Sequence, residues 1–370
     1  MKRVLLLGGG HAHVHVLHEL AREPMPGAEV LLLTPFARQM YSGMVPGLVA
    51  GHYAVDDCVI PLAPLAARAG VLRVESSATA FDANDRSVVL ADGRVLEFDV
   101  ASLDTGAVIP RDAIAGAREH ALFVRPIEHF VAMLDPLVAL AGQRSLGLAL
   151  VGGGAAGVEL AMSLTHRLGD RARVSLVTGG PPPLASHPAS AQRRVRRALA
   201  RARITVLEEA CVEIAADHLR LASGLRLAND AAVVATGAAP APWLAASGLA
   251  LCEQGFVATG PTLQSVSHPV VFAVGDVAAR PDAPHARSGV YAVRAGPPLA
   301  LNLRRFVAGG ELLPHHPQRR ALNLIACGDR RAIATWGGWS VEGRWVWRWK
   351  DRIDREFIAR YAGSPTETPA

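Results

Sequence analysis

The 370-residue chain is poor in cysteine: Cys58, Cys211, Cys252 and Cys327 lie far apart and show no CxxC spacing. That excludes a disulfide scaffold and a paired-thiolate zinc site, and it fits a reduced, cytoplasmic setting. Lysine is nearly missing as well. Lys2 and Lys350 are the only two, so the formal net charge of +5 rests on arginine. Charged residues amount to 19% against 50% hydrophobic, which excludes a disordered chain. A basic balance permits contact with nucleic acid, but no basic–aromatic recognition motif accompanies it, and no nucleic-acid partner is expected. No apolar run reaches the roughly 18 residues of a membrane-spanning helix. The opening MKRVLLL is too short for a signal peptide and lacks a small-residue cleavage site, so it reads as a buried strand.

What the sequence does have is length for two or three compact units and an internal duplication. VLLLGGGHAH (4–13) returns as LALVGGGAAG (148–157). Each copy is followed by helical spacing and a second apolar strand ending in threonine, EVLLLT (29–34) and RVSLVT (173–178). Each then runs through a Gly-containing hairpin to a strand ending in Thr-Gly-Ala, at 105–107 and 236–238. Strand, glycine turn, helix, strand is the opening of a dinucleotide-binding unit, and two copies with matching continuations make the signal specific.

The glycines have distinct expected tasks. Gly8 and Gly152 make the tight turn out of the strand, and Gly10 and Gly154 let a diphosphate approach the backbone. The helix that follows offers free N–H groups and partial positive charge. A third glycine normally lets helix and strand pack closely. It is Gly157 in the second copy but His13 in the first, where the ring either pushes the helix outward or turns into the packing. His11 and His15 share a helix face that His13 does not, so no metal site is expected. Late in the chain, VVFAVGDVA (270–278) is a strand ending in Gly275-Asp276, suited to capping a helix or to accepting hydrogen bonds from sugar-like hydroxyls.

In order and spacing these motifs resemble the two-dinucleotide-binding-domain flavoproteins of the pyridine nucleotide-disulfide oxidoreductase superfamily. GGGHAHV (8–14), YSGMVPG (41–47) and SVEGRWVWRWKDRIDREF (340–357) further resemble its type II NADH:quinone dehydrogenase and sulfide:quinone reductase branch, in the subgroup sometimes fused to selenophosphate synthetase. The resemblance implies an α/β fold of two Rossmann-like domains. An FAD domain (1–110 and 239–312) is interrupted by an NAD(P)H domain (111–238) and followed by a C-terminal cap (313–370) with an amphipathic helix. It implies FAD contacts from Gly8, Gly9, Gly10, His11, His13, Thr34, Thr105, Gly106, Gly275 and Asp276. It implies contacts to NADH or NADPH from Gly152, Gly154, Gly157, Thr178 and Gly237. The implied reaction passes a hydride from the nicotinamide to the flavin and electrons onward to a second acceptor, a quinone. The alternatives are a sulfide:quinone reductase-like enzyme and a non-catalytic flavoprotein that senses redox state or serves as a partner subunit. Glu159, in GVELA, is the expected polar contact near the junction of the two rings; its bland role is favourable charge in a helix's first turn.

Some positions depart from the pattern. Thr34 and Thr178 stand where an acidic residue usually binds the adenosine ribose, which leaves NADH against NADPH open, with Arg193 or Arg194 able to favour the phosphate. Cys58 stands alone where related disulfide reductases carry two cysteines, and Cys327 is the one thiol in a late segment. Quinone-lining glutamines are not evident in 285–303.

The tail carries Trp336, Trp339, Trp345, Trp347 and Trp349, then a helix-compatible stretch without glycine or proline from Arg344 to Tyr361. Val346, Trp349, Ile353, Phe357 and Tyr361 form its expected apolar face, with Arg348, Lys350, Arg352, Arg355 and Arg360 on the rest. An aromatic stripe among cations suits the headgroup boundary of an anionic bilayer, peripheral on the inner face of the cell membrane. It equally suits packing on the FAD domain or on a second subunit of a homodimer.

Overall fold

The apolar runs become two five-stranded parallel sheets. Parallel strands are covered by helices on both faces, which is why they read as continuous Val/Leu stretches rather than as alternation. The computed structural model describes residues 1–362. The first sheet has the order Val271–Ala273, Val100–Leu103, Lys2–Leu7, Ala28–Leu33, Leu72–Val74. Its centre is in strict register, with Val4 beside both Val30 and Val100. The second sheet has the order Ala121–Phe123, Ala231–Val234, Leu146–Val151, Ala172–Val177, Thr205–Leu207. All five of its strands fall in the chain between two neighbours of the first sheet.

The duplication extends to the decoration. Each unit carries a three-stranded antiparallel meander, Ala78–Glu97 and Cys211–Ala228, whose second hairpin turns at Gly93 or Gly224, both with positive φ. Helices His11–Arg22 and Ala155–Leu168 follow the two glycine turns, and helix Gly289–Ala308 packs along the first of them. Gly296 permits that approach, because a Cβ there would lie 2.8 Å from His15 Cβ.

A third, antiparallel sheet (Asn323–Ala326, Ala332–Trp336, Trp339–Gly343) leads into the terminal helix Arg344–Ala362. The buried face of that helix differs from the expected stripe. It runs Val346, Lys350, Asp354, Phe357, Tyr361, while Trp349 is exposed and Ile353 only partly covered. Lys350, expected on the outer charged face, is buried because its ammonium is paired there. It donates to Asp354 Oδ2 at 2.6 Å and to the Gly43 carbonyl at 2.5 Å. Tyr41 stacks on Phe357 with ring centroids 4.3 Å apart, so YSGMVPG is seated against this helix. No helix among the described residues is long and apolar enough to cross a membrane.

Candidate functional site

Both glycine turns leave their strands in the same way. Gly8 (φ +98°) and Gly152 (φ +136°) occupy left-handed backbone space, and a Cβ on either would overlap the backbone of Asp104 or Ala235 on the adjoining strand.

Beyond that first glycine the copies diverge. In the second, a Cβ at Gly157 would overlap the Gly152 carbonyl, so backbone packs on backbone. In the first, His13 takes this position at 0% exposure, with Nδ1 2.6 Å from the Gly8 carbonyl and Nε2 2.8 Å from Ser102 Oγ. Burial lowers its pKa to about 4, so the ring is neutral; Nδ1–H donates to Gly8 and Nε2 accepts from the serine hydroxyl. His13 is therefore spent on the fold. The expected contact to the cofactor is corrected: the ring lies under the turn, not on its open side.

Asp104, which sequence reasoning passed over, decides the shape of the first turn. Its Oδ2 accepts from the amides of Ala12 (2.9 Å) and His13 (3.0 Å) at the start of helix His11–Arg22. A Cβ at Gly10 would overlap this carboxylate, whereas one at Gly154 meets nothing within 4 Å. Gly10 is thus free of a side chain to admit Asp104, and only Gly154 stands open as expected. Burial raises Asp104 to about 7 against the pull of the two amides, and nearby Asp276 adds to the rise.

A cavity of about 750 Å³ opens over the first turn, within the range of cofactor sites. Its wall includes Gly8, Gly9, Gly10, His11, Thr34, Thr105, Gly106 and Asp276, which the structure brings together from four segments. Gly275, with φ +67°, positions the last of these. Asp276 is already half engaged, since Arg125 Nη2 donates to its Oδ2 at 2.9 Å. His11 is neutral, its pKa lowered to about 4 by burial. Beside it, Gln39 donates Nε2–H to the Met40 carbonyl at 2.9 Å, and its Oε1 is buried on the cavity wall with no partner among the described residues. An acceptor left so costs about 1–3 kcal/mol, and a ligand N–H would satisfy it. No cysteine lines this cavity; Cys327 borders a separate one of about 250 Å³, and burial raises its thiol pKa.

At the second turn Gly154 and Gly237 are exposed, and Thr178 Oγ1 is buried without a partner among the described residues. Arg194 is tied to Ser340 Oγ at 3.1 Å, while Arg193 is exposed. Glu159 does not line the large cavity. Its helix carries it toward the C-terminal sheet, where Oε1 accepts from the Ala326 amide at 2.7 Å. Burial raises its pKa to about 7; Lys350 opposes the rise and Asp354 supports it. Glu159, Lys350 and Asp354 thus form one buried polar group where the second unit, the terminal helix and YSGMVPG meet. Only the numbering distance between these residues hid it from the sequence.

Comparison with known proteins agrees with this fold. The family model described as pyridine nucleotide-disulphide oxidoreductase matches residues 2–296. Demethylphylloquinone reductase NdbB of Synechocystis sp. is 26% identical over 359 residues, covering 92% of this chain and 88% of that one. The sulfide:quinone oxidoreductase of Aquifex aeolicus shares the fold with a TM-score of 0.82 at 18% identity, over 98% of this chain and 92% of that one. NDH2 of Plasmodium falciparum, solved in complex with NADH, has a TM-score of 0.79 at 13% identity, over 96% and 97%.

Proposed function

The chain belongs to the pyridine nucleotide-disulphide oxidoreductase family, and from that premise we propose an FAD-dependent oxidoreductase that takes reducing equivalents from NADH or NADPH and passes them to a quinone. The observation that carries this reading is the duplicated glycine turn with a cofactor-sized cavity over its first copy. FAD, when bound, supplies acceptance of a hydride and onward delivery of electrons.

The protein positions and proton-loads that chemistry. Gly9, Gly10 and His11 present the open side of the first turn to a diphosphate; Thr34, Thr105, Gly106, Asp276 and the orphaned Gln39 carbonyl address the rest of the cofactor. Gly152, Gly154, Gly157, Thr178 and Gly237 serve the nicotinamide dinucleotide. The division at 110/111, 238/239 and 312/313 is part of this reading, and strand membership in the two sheets supports it. The absence of cysteine from the cavity wall favours a nicotinamide over sulfide as the donor.

A quinone that takes two electrons also takes two protons. Glu159, bonded to the Ala326 amide and with its pKa raised to about 7 by burial, is about half protonated near pH 7 and in this reading serves as the proton reservoir for that second half-reaction. Because its protonated form is the useful one, quinone reduction slows as pH rises through about 7. Glu159→Gln should lower that step and flatten its pH profile while leaving reduction by NADH unchanged; an unaltered profile sinks this role.

The finer reading of the tail is peripheral contact with an anionic lipid surface. Its helix buries one face and turns Trp345 and Trp349 outward with Arg344, Arg348 and Arg352, next to Trp339 at 82% exposure on the hairpin. Removing the helix would destroy its buried face, so the informative variant is Trp339→Asp/Trp345→Asp. It should lose co-sedimentation with phosphatidylglycerol vesicles without loss of flavin; retained co-sedimentation favours a protein contact, including a homodimer.

For the enzyme itself, NADH and then NADPH is added anaerobically to the purified protein while flavin absorbance is followed. Bleaching by either supports the reading and names the donor. No bleaching by both favours the sensor alternative.

A further inference from the structure

The first turn holds an acid where its twin holds none. Asp104 corresponds to Ala235 in the duplicate, and its carboxylate already takes two amides at the helix start that is proposed to face a diphosphate. The backbone amides of Gly9, Gly10 and His11 have no protein partner among the described residues. A second anion would arrive at those amides, next to a carboxylate that is almost fully buried. Two negative charges at one helix end in a low-dielectric cavity repel strongly, and the carboxylate cannot move away without abandoning Ala12 and His13.

We infer that Asp104 takes up a proton when the cofactor binds, so that flavin retention is coupled to pH through this one residue. This rests on FAD occupying the first turn. As a neutral acid, Asp104 keeps one oxygen on the helix amides and turns an O–H toward the incoming oxyanion, replacing repulsion with a hydrogen bond. The surrounding groups leave it to act alone. His13, from the same helix, is neutral and committed to Gly8 and Ser102; His11 is neutral; both have pKa values lowered to about 4. Asp276, from the Gly-Asp turn, is paired with Arg125 from the second unit. Asp104, with its pKa raised to about 7, is the group facing the turn that changes charge near neutrality.

The sign follows from linkage. The free site titrates near pH 7 and the occupied site higher, because the added anion stabilises the protonated form. Between those two values FAD affinity falls by about tenfold per pH unit. Below pH 7 it is flat.

The test follows free-flavin fluorescence as full-length holoprotein is diluted, at half-unit steps from pH 5.5 to 9. The wild type should show a dissociation constant that climbs about tenfold per unit above pH 7, and Asp104→Asn one that varies less than about twofold. Should Asp104→Asn fail to fold, titration of FAD into flavin-stripped wild type at pH 8 in two buffers of different ionisation enthalpy counts the protons directly; close to one taken up is expected. FAD that binds with no slope, with an equal slope in Asp104→Asn, or with no proton uptake overturns this inference alone. A chain that binds no FAD at any pH overturns the functional reading, and this with it.

Discussion

At the second glycine turn the helix rests on the strand backbone to backbone, through Gly157; at the first it is held off by an imidazole that bonds the turn from inside. The two solutions follow from three substituted positions: His13, Ser102 and Asp104 in one copy against Gly157, Val233 and Ala235 in the other. The polar copy has its helix start partly occupied by its own carboxylate and lines a cavity of about 750 Å³. The apolar copy leaves Gly154 and Gly237 facing solvent. On the proposed function, the difference suits a resident cofactor in one turn and an exchanging one in the other.

That contrast can be broken from either side. The largest effect is expected from Gly157→Val, whose side chain would displace the Gly152 carbonyl. Overpacking of this kind costs about 1–3 kcal/mol, and it should weaken NAD(P)H roughly a hundredfold in KM while flavin content stays normal. Loss of flavin instead would show that the turns are not independent. His13→Ala strands the Gly8 carbonyl and the Ser102 hydroxyl and opens a cavity. A loss of about 2–3 kcal/mol in urea unfolding is expected, with flavin shed before NADH affinity changes. Ala235→Asp gives the second turn the acid of the first. It should raise KM for NADH by about tenfold, equivalent to ~1.4 kcal/mol, and make it pH-dependent; an unchanged KM would remove the electrostatic account of the first turn. Ser102→Val, which copies Val233, should cost about 1 kcal/mol by leaving His13 Nε2 without a donor. The smallest change thus sharpens the comparison by isolating a single hydrogen bond.

Much of the architecture was legible because its signals are short in sequence. The paired glycine turns, the second strands ending at Thr34 and Thr178, and the Gly93 and Gly224 hairpins each lie within a few residues of their cause. What escaped is lateral. Asp104 bonds amides about ninety positions earlier, Arg125 reaches Asp276 across an entire unit, and Lys350 closes on Gly43. No periodicity announces such pairs. The terminal helix shows the same limit from the other direction: apolar spacing chose Trp349 and Ile353 as inward, while an ion pair spaced four residues apart took that face, since charges that satisfy each other can be buried together. Gln39 gave no signal at all, because an unpartnered carbonyl is a property of its surroundings.

The order of the strands also sets the order in which the molecule is made. Every strand of the inner sheet has been synthesised once Val234 is added, whereas the outer sheet must wait for Val271–Ala273 to supply its edge. During translation the inserted unit therefore completes itself first, while its host stands as an unfinished four-stranded template with one flank bare. On the proposed function, the ribosome delivers the place for the exchanging substrate before the pocket for the permanent one is complete.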